Sequence, residues 1–443
     1  MSKRKKILFI ASAFYPANTV AVLRTGQWVK YLALNGYDVT VLTNKKYPFM
    51  WGKLDNNKKL PQNVTIIEVD YLPKMLQKKD LPPKTDLPDR SLKQQSSFAN
   101  NIKKVMRYIR RYVGNLLDIY DLWVLPAAKN ADMILKSDDF GYIISSFSPP
   151  ATHKIAHRLK KKYPHLKWIA DFRDLWAYNH LIHASGPFKA IEKMQEKRTI
   201  GNADALITVS DHLSHVMQKV YPNKPIYTIE NGFDPDEFIS WEEKVLKAPK
   251  INDSLSISYM GTIYPQKQDP SILFEAVNEM IEAGYIKPNK IKINFYGNSK
   301  DEICQIINSK DCNRYGVIGV NGLVSRQESL RIQKESDLLL FLEWNDPSAK
   351  GVLTGKLFEY MVSGVPIMSV GITEDNSAGE LIKKSGTGEL FIDKNSIMET
   401  LKRIYESKKI EFYKPDIDII KRYSKPYQVD RLIKIMEQLN ADK

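Results

Sequence analysis

At 443 residues the chain exceeds what one hydrophobic core ordinarily serves, so two domains are expected. Its 66 basic and 51 acidic residues leave a net charge of +15, which favours acidic partners: phosphorylated ligands, an anionic membrane or nucleic acid. The two cysteines, Cys304 and Cys312, exclude a disulfide framework and a Cys-x-x-Cys metal site, and no apolar run reaches the roughly eighteen residues of a membrane span.

The first apolar run, 7–13, leads into Tyr15-Pro16 and reads as an opening strand over 5–10 rather than a signal peptide, so a cytoplasmic protein is expected. A loop over 14–19, a helix over about 21–34 stopped by Gly36, and a strand over 37–42 make the βαβ start of a doubly wound sheet. No G-x-G-x-x-G follows the first strand, which argues against a dehydrogenase. Arg24, just inside the helix, is a candidate anion contact.

Residues 73–97, with Pro82-Pro83 and Pro88, read as a long surface loop. No acid lies between Gln94 and Leu117, where Phe98, Ile102, Val105, Met106, Ile109, Val113 and Leu116 stripe one face and Lys103, Lys104, Arg107, Arg110 and Arg111 the other. Such a basic amphipathic helix over 98–117 suits an anionic lipid surface, while its stripe also suits packing on a core, and both can hold. After a strand over 142–146, the stretch Phe147 to His153 leads into a helix. His153 and His157 stand at i,i+4 without the Glu or third ligand of a zinc site, leaving them structural or acceptor-facing. A strand over 168–170 then sets Asp171-Phe172-Arg173-Asp174-Leu175-Trp176 at its carboxyl end, where charged residues favour a site. Arg173 can hold charge or orient hydroxyls but cannot act as a base; an Arg173–Asp174 brace is the other reading. Strands over 205–210 and 226–229 close this half, Asn231-Gly232 makes a turn, and 236–254 read as a linker.

The second half restarts the alternation with strands over 256–260, 291–297 and 317–320, and a terminal helix is expected over 425–439. Its organising stretch runs from the buried strand 338–342 through the loop at 346–354 to a helix start at Gly355, ended by Ser363-Gly364. The loop aims a helix N-terminus at the carboxyl edge of a sheet, where free N–H groups and Lys356 would meet a phosphate. Glu359, three residues on, shares a face with Lys356 and suits ribose hydroxyls; a solvated Lys–Glu pair is the competing reading.

Lys350-Gly351, Thr354-Gly355-Lys356-Leu357-Phe358-Glu359-Tyr360 and Gly364-x-Pro366 resemble the donor-binding segment of glycosyltransferase family 4, the retaining sugar transferases of GT-B fold. Ser148-Pro149-Pro150, Asp171-x-Arg173-Asp174-x-Trp176 and Glu230 to Asp234 resemble further segments of one branch. The resemblance implies an α/β fold of two Rossmann-like domains facing a central cleft: an acceptor-side domain over 1–235, a nucleotide-sugar domain over 255–424, and a helix over 425–443 crossing back. Gly351 stands where most members carry the first of two glutamates, and Glu359 matches the second. Thr262 replaces an arginine that often follows the loop glycine Gly261, whereas Lys267 keeps a later cation that reaches the diphosphate.

Donor contacts are thereby expected from Gly261, Thr262, Lys267, Asn298, Gly351, Thr354, Gly355, Lys356, Leu357 and Glu359. Acceptor-side contacts are expected from Asn18, Thr19, Arg24, His153, Asp171 and Trp176, with Arg173, Asp174, Lys267 and Lys356 in the chemistry. The implied enzyme is a metal-independent retaining glycosyltransferase with no cofactor besides its nucleotide-sugar substrate. Its acceptor would be a lipid-linked glycan of a cell-surface polysaccharide, met at the inner face of the cell membrane. The alternatives are a GT-B-shaped sugar-nucleotide epimerase and a basic nucleic-acid binder. The first wants proton-shuttling acids and histidines, and the second wants a basic recognition module that is not evident.

Overall fold

Continuous apolar runs whose successive side chains point to opposite faces set both sheets, and in each sheet both faces are covered, as parallel strands require. In the computed structural model, described for residues 5–17, 19–47, 51, 54, 59–72, 112–116, 118–179, 184–247, 249–264, 267–298, 300–309, 311–344, 351 and 353–441, the chain forms two compact units. The first is Met1–Ile229 with Val429–Lys443, and the second is Glu230–Gln428.

The first unit holds β1 (Lys6–Ala11), β2 (Asp38–Asn44), β3 (Val64–Val69), β4 (Phe140–Phe147), β5 (Lys167–Phe172), β6 (Ala205–Thr208) and β7 (Ile226–Thr228), ordered β3-β2-β1-β4-β5-β6-β7 and parallel throughout. Leu8 and Ile10 point to one core, while Ile7, Phe9 and Ala11 point to the other. The second core also receives Val429, Leu432, Met436 and Leu439 from the terminal helix Lys425–Ala441, which begins in the second unit and is completed in the first.

The second unit holds β8 (Leu255–Met260), β9 (Ile291–Tyr296), β10 (Ile318–Asn321), β11 (Leu338–Leu342), β12 (Ile367–Val370) and β13 (Gly388–Phe391), in the order β10-β9-β8-β11-β12-β13. Leu338, Leu340 and Leu342 face one core, and Leu339 and Phe341 the other. Strand order reverses between β1 and β4 in the first sheet and between β8 and β11 in the second, so each unit has one switch point, the place where open α/β sheets bind ligands. Two Rossmann-like sheets of this topology make the fold GT-B, as the sequence implied.

The stretch read as a linker behaves differently. The chain divides at Ile229/Glu230, and 236–254 carries the helix Trp241–Leu246, whose Trp241 and Val245 are buried in the second unit's core beside Phe233 and Phe238. Its charged residues hid two apolar anchors four residues apart. Where the chain enters and leaves this unit it pairs with itself: the Phe233 N–H donates to Tyr423 O at 3.1 Å and the Lys425 N–H to Phe233 O at 2.9 Å. Gly232 is required there, because a Cβ would sit 1.9 Å from the Tyr423 carbonyl oxygen.

Candidate functional site

At the carboxyl edge of the second sheet, glycine lets backbone approach backbone. Gly261 and Gly297 both hold φ in the left-handed range, +128° and +148°, and a Cβ on Gly297 would lie 2.2 Å from the Gly261 oxygen. Under this edge reaches Lys356, from the first turn of the helix Gly355–Met361. Its Nζ lies 3.9 Å from the centre of the Tyr259 ring and 5.7 Å from that of Phe341, a cation held on aromatic faces. It also lies 3.6 Å from where a Gly261 side chain would begin. Burial pulls the Lys356 ammonium below the ordinary lysine value, against the attraction of Glu343 and Glu359.

Glu343 was not foreseen. It follows the apolar run of β11 directly and is 5% exposed. One carboxylate oxygen accepts the Trp344 N–H at 3.0 Å, and Oε2 is buried without a hydrogen-bond partner among the described residues. Burial raises its pKa, and the nearby Lys356 opposes that rise. The signal was present in the sequence: a carboxylate at the carboxyl end of a buried strand. Thr354, at the N-cap of the Lys356 helix, makes no side-chain cap bond, and its buried Oγ1 likewise has no partner among the described residues.

Glu359 lies one turn beyond Lys356 and is engaged: Arg326 donates to its Oε1 at 2.6 Å and to Glu237 Oε2 at 3.0 Å. Arg326, at the start of the helix after β10, is thus a second residue that sequence reasoning missed. Lys267 lies with its ammonium 5.4 Å from the Trp344 ring, in a loop tied to β11 by Gln268, which donates to Leu342 O at 2.8 Å. Gly261, Thr262 and Asn298 are exposed at this edge, and Gly351 is buried.

Leu357 is fully buried in the core and its N–H donates to Thr354 O at 3.2 Å, so its side chain supports the helix. That helix has only seven residues, so its backbone dipole is short and Lys356 supplies most of the positive field.

In the first unit four of the six expected acceptor-side residues, Arg24, His153, Asp171 and Trp176, are buried. Arg24 is 3% exposed and donates twice to Asp171 Oδ1 and Oδ2 through Nε, at 3.2 and 3.1 Å, and through a terminal nitrogen to Oδ1 at 2.7 Å. It also donates to Ile229 O at 2.9 Å and stacks on Trp28, while Asp171 accepts from Ser146 Oγ at 2.7 Å. Both were expected to face a ligand; instead they form a buried brace joining the first helix to β5. His153 is also enclosed: Nδ1 pairs with Ser145 Oγ at 2.8 Å, and burial lowers its pKa to about 3. Trp176 is fully buried, stacked on Phe147. The large apolar cluster around Phe147, Trp168 and Phe172 absorbs both rings, which the sequence order alone did not show.

Thr19 keeps a buried Oγ1 with no partner among the described residues, and Asn18 lies outside the described residues. Arg173 and Asp174 form an ion pair at 3.2 Å with Asp174 well exposed. At the ends of β1 to β3, sequence reasoning also missed Lys46. Its Nζ donates to Thr43 Oγ1, Asn44 O and Asn44 Oδ1 at 2.6 to 2.7 Å, and burial lowers its pKa to about 7.

The two Asp-x-Asp pairs of the chain cap helices: Asp234 accepts the Asp236 N–H at 3.1 Å and Asp416 the Ile419 N–H at 3.0 Å. Among the described residues no cluster of three or more His, Cys, Asp or Glu is arranged to hold a metal ion. No helix among them is long and apolar enough to cross a membrane.

Residues 87–237 match the family model of Glycosyltransferase Family 4. A search of the curated proteins finds no match in sequence. Among solved structures, the chain is similar to the sucrose-phosphate synthase of Thermosynechococcus elongatus, with a TM-score of 0.61 at 12% identity over 99% of this chain and 100% of that one. It is also similar to the lipopolysaccharide outer core galactosyltransferase WaaB, with a TM-score of 0.54 at 13% identity over 98% and 99%. A third, the N-terminal domain of the Candida albicans trehalose-6-phosphate phosphatase, gives 0.58 at 14% over 99% and 97%. At these identities the likeness establishes the GT-B fold and leaves the chemistry to the residues.

Proposed function

We propose that the chain is a metal-independent, retaining glycosyltransferase that binds a nucleotide sugar on the second unit and transfers the sugar to a lipid-linked glycan. The observation that carries this reading is the Lys356 ammonium, held on the Tyr259 ring against the glycine edge at the β8/β11 switch point. A desolvated cation there offsets the charge that grows on the diphosphate as the bond from the sugar's anomeric carbon to the phosphate oxygen breaks. Lys267 adds a second cation. The acceptor hydroxyl forms the new bond on the same face of the sugar, and its proton passes to the departing phosphate oxygen. Glu359 accepts from the ribose hydroxyls, sharing its carboxylate with Arg326. Glu343 offers its unpartnered oxygen to the donor in place of the carboxylate absent at Gly351, and the Arg173–Asp174 pair orients acceptor hydroxyls. The acid-free segment 94–117, of which 112–116 are described, brings the enzyme to an anionic membrane on its cytoplasmic side.

A screen of nucleotide sugars, read as release of nucleoside diphosphate, tests the reaction class. One donor is expected to be consumed, in an acceptor-dependent manner; conversion of a nucleotide sugar to its epimer with no acceptor would instead assign an epimerase. Glu359→Ala removes a charge-assisted bond to the ribose, so donor KM is expected to rise and kcat/KM to fall by about 1.5 to 3 kcal/mol, with the urea midpoint little changed. Donor kinetics equal to the parent's would remove Glu359 from the site. With Lys356 and Lys267 neutralising the diphosphate, turnover is expected to persist in excess chelator. Loss of activity that added divalent metal restores would overturn this metal-free scheme.

A further inference from the structure

The helix Pro187–Ile200 is packed inside out. Its acids, Glu192 and Glu196, are 0% and 3% exposed, whereas Phe188, Ile191 and Met194 are 41%, 45% and 66% exposed. The acids point inward because backbone donors wait for them: Glu192 accepts the Asn115 N–H at 2.8 Å and the Ala184 N–H at 3.3 Å, and Glu196 accepts the Ala177 N–H at 2.7 Å and the Tyr221 hydroxyl at 2.8 Å. With 3.6 residues per turn, Phe188, Ile191 and Met194 then sweep roughly 120° of the outward surface. Arg198 falls within that arc and Lys197 lies about 60° beyond its Met194 edge, whereas Lys189 and Lys193 project nearer the side of the buried acids, the Lys193 ammonium 4.7 Å from the Tyr178 ring. The outward surface therefore presents apolar side chains among cations and no carboxylate.

The same helix is stitched to the end of the acid-free segment. Besides the Asn115 bond to Glu192, the Ser185 N–H donates to Tyr112 O at 2.9 Å, and Gly114 is packed so closely that a Cβ would lie 2.6 Å from a Glu192 oxygen. Tyr112 is itself 50% exposed. The sequence that ends at this junction carries Lys103, Lys104, Arg107, Arg110 and Arg111 with no acid among them.

We infer that the outward face of Pro187–Ile200 is a membrane-docking surface whose apolar band inserts among the acyl chains of an anionic bilayer while its cations meet the headgroups. Exposed Phe188, Ile191 and Met194 with Arg198 among them and Lys197 beside them, and with both acids of the helix turned inward, match a negatively charged interface with an apolar interior. A protein partner would have to pair that many cations with its own acids, whereas an anionic bilayer offers charge and hydrocarbon together. The inference deepens the membrane part of the function proposed above and rests on it; the donor chemistry is independent of it.

The test is co-sedimentation of the full chain with vesicles of phosphatidylcholine alone or mixed with phosphatidylglycerol, at low and high salt, with no nucleotide sugar present. The parent is expected to bind the anionic vesicles, less at high salt. The triple variant Phe188→Asn, Ile191→Asn, Met194→Asn is expected to lose about tenfold or more in affinity. Met194→Glu, a single exposed change that sets an acid on the face, is expected to weaken binding in the same direction. If both variants bind like the parent while Lys103, Lys104, Arg107, Arg110 and Arg111 changed together to Gln abolish binding, the helix is not the docking face and the membrane reading stands without it. If the parent binds neither vesicle, both fall.

Discussion

Lys356→Gln is expected to lower kcat/KM for the donor by about 10² to 10³, or roughly 2.7 to 4 kcal/mol, without loss of folding stability. The size follows from where the ammonium lies. Half-buried, with its ammonium 3.9 Å from the Tyr259 ring and close to Gly261, it acts on a phosphate in a medium less polarisable than water. Stability is spared because burial already disfavours the charged form, as its lowered pKa shows, so a neutral amide of similar length removes a desolvation cost. The same shift sets a pH dependence. The protonated form meets the diphosphate, so donor kcat/KM falls as pH rises through a value below that of an ordinary lysine. In Lys356→Arg that alkaline limb is expected to disappear, because guanidinium does not deprotonate in this range. A Lys356→Gln enzyme with parental kcat/KM, or a limb unmoved in Lys356→Arg, would show that the lysine serves only the Glu343 pair.

Arg24→Leu is expected to destabilise the first unit by about 3 to 5 kcal/mol, measured by urea unfolding. It leaves the fully buried Asp171 carboxylate with Ser146 as its remaining side-chain donor among the bonds described here. Changing Arg24 and Asp171 together to Leu and Asn is expected to recover part of that loss, because the uncompensated charge is gone. Donor KM should not move in either variant. Had these residues been acceptor ligands, the single change would alter acceptor kinetics and leave the unfolding midpoint in place, and that outcome would refute the brace.

The sheets were legible because their strands are continuous apolar runs bounded by glycine and polar residues. The run at 338–342 coincides with β11, and the run at 5–10 lies one residue from β1. The helix start at Gly355 was legible for the same reason, being a local feature, while residues 345–350 and 352 of the loop before it lie outside the described residues. What failed was reach. Nothing near Arg24 in sequence announces Asp171, 147 positions away, and nothing near His153 shows that Phe147, Trp168 and Phe172 close over it. A charged residue at a strand's carboxyl end was read as facing a ligand, and at Asp171 it faces another side chain. Conversely Arg326, from a different element, occupies the carboxylate of Glu359, and Glu343 directly follows the apolar run of β11, which by itself does not show that this carboxylate is buried. The inverted helix Pro187–Ile200 was illegible because its acids are drawn inward by backbone N–H groups of three other segments, which no periodicity within the helix records.

The central claim is that the glycine-edged switch point of the second unit binds a nucleoside diphosphate through Lys356. Calorimetric titration of the full chain with UDP, GDP, ADP and TDP, beside the Lys356→Gln variant, tests it without knowledge of the sugar or the acceptor. One diphosphate should bind the parent and lose at least about tenfold in affinity to the variant. No binding of any of the four, or equal binding by parent and variant, would contradict the account.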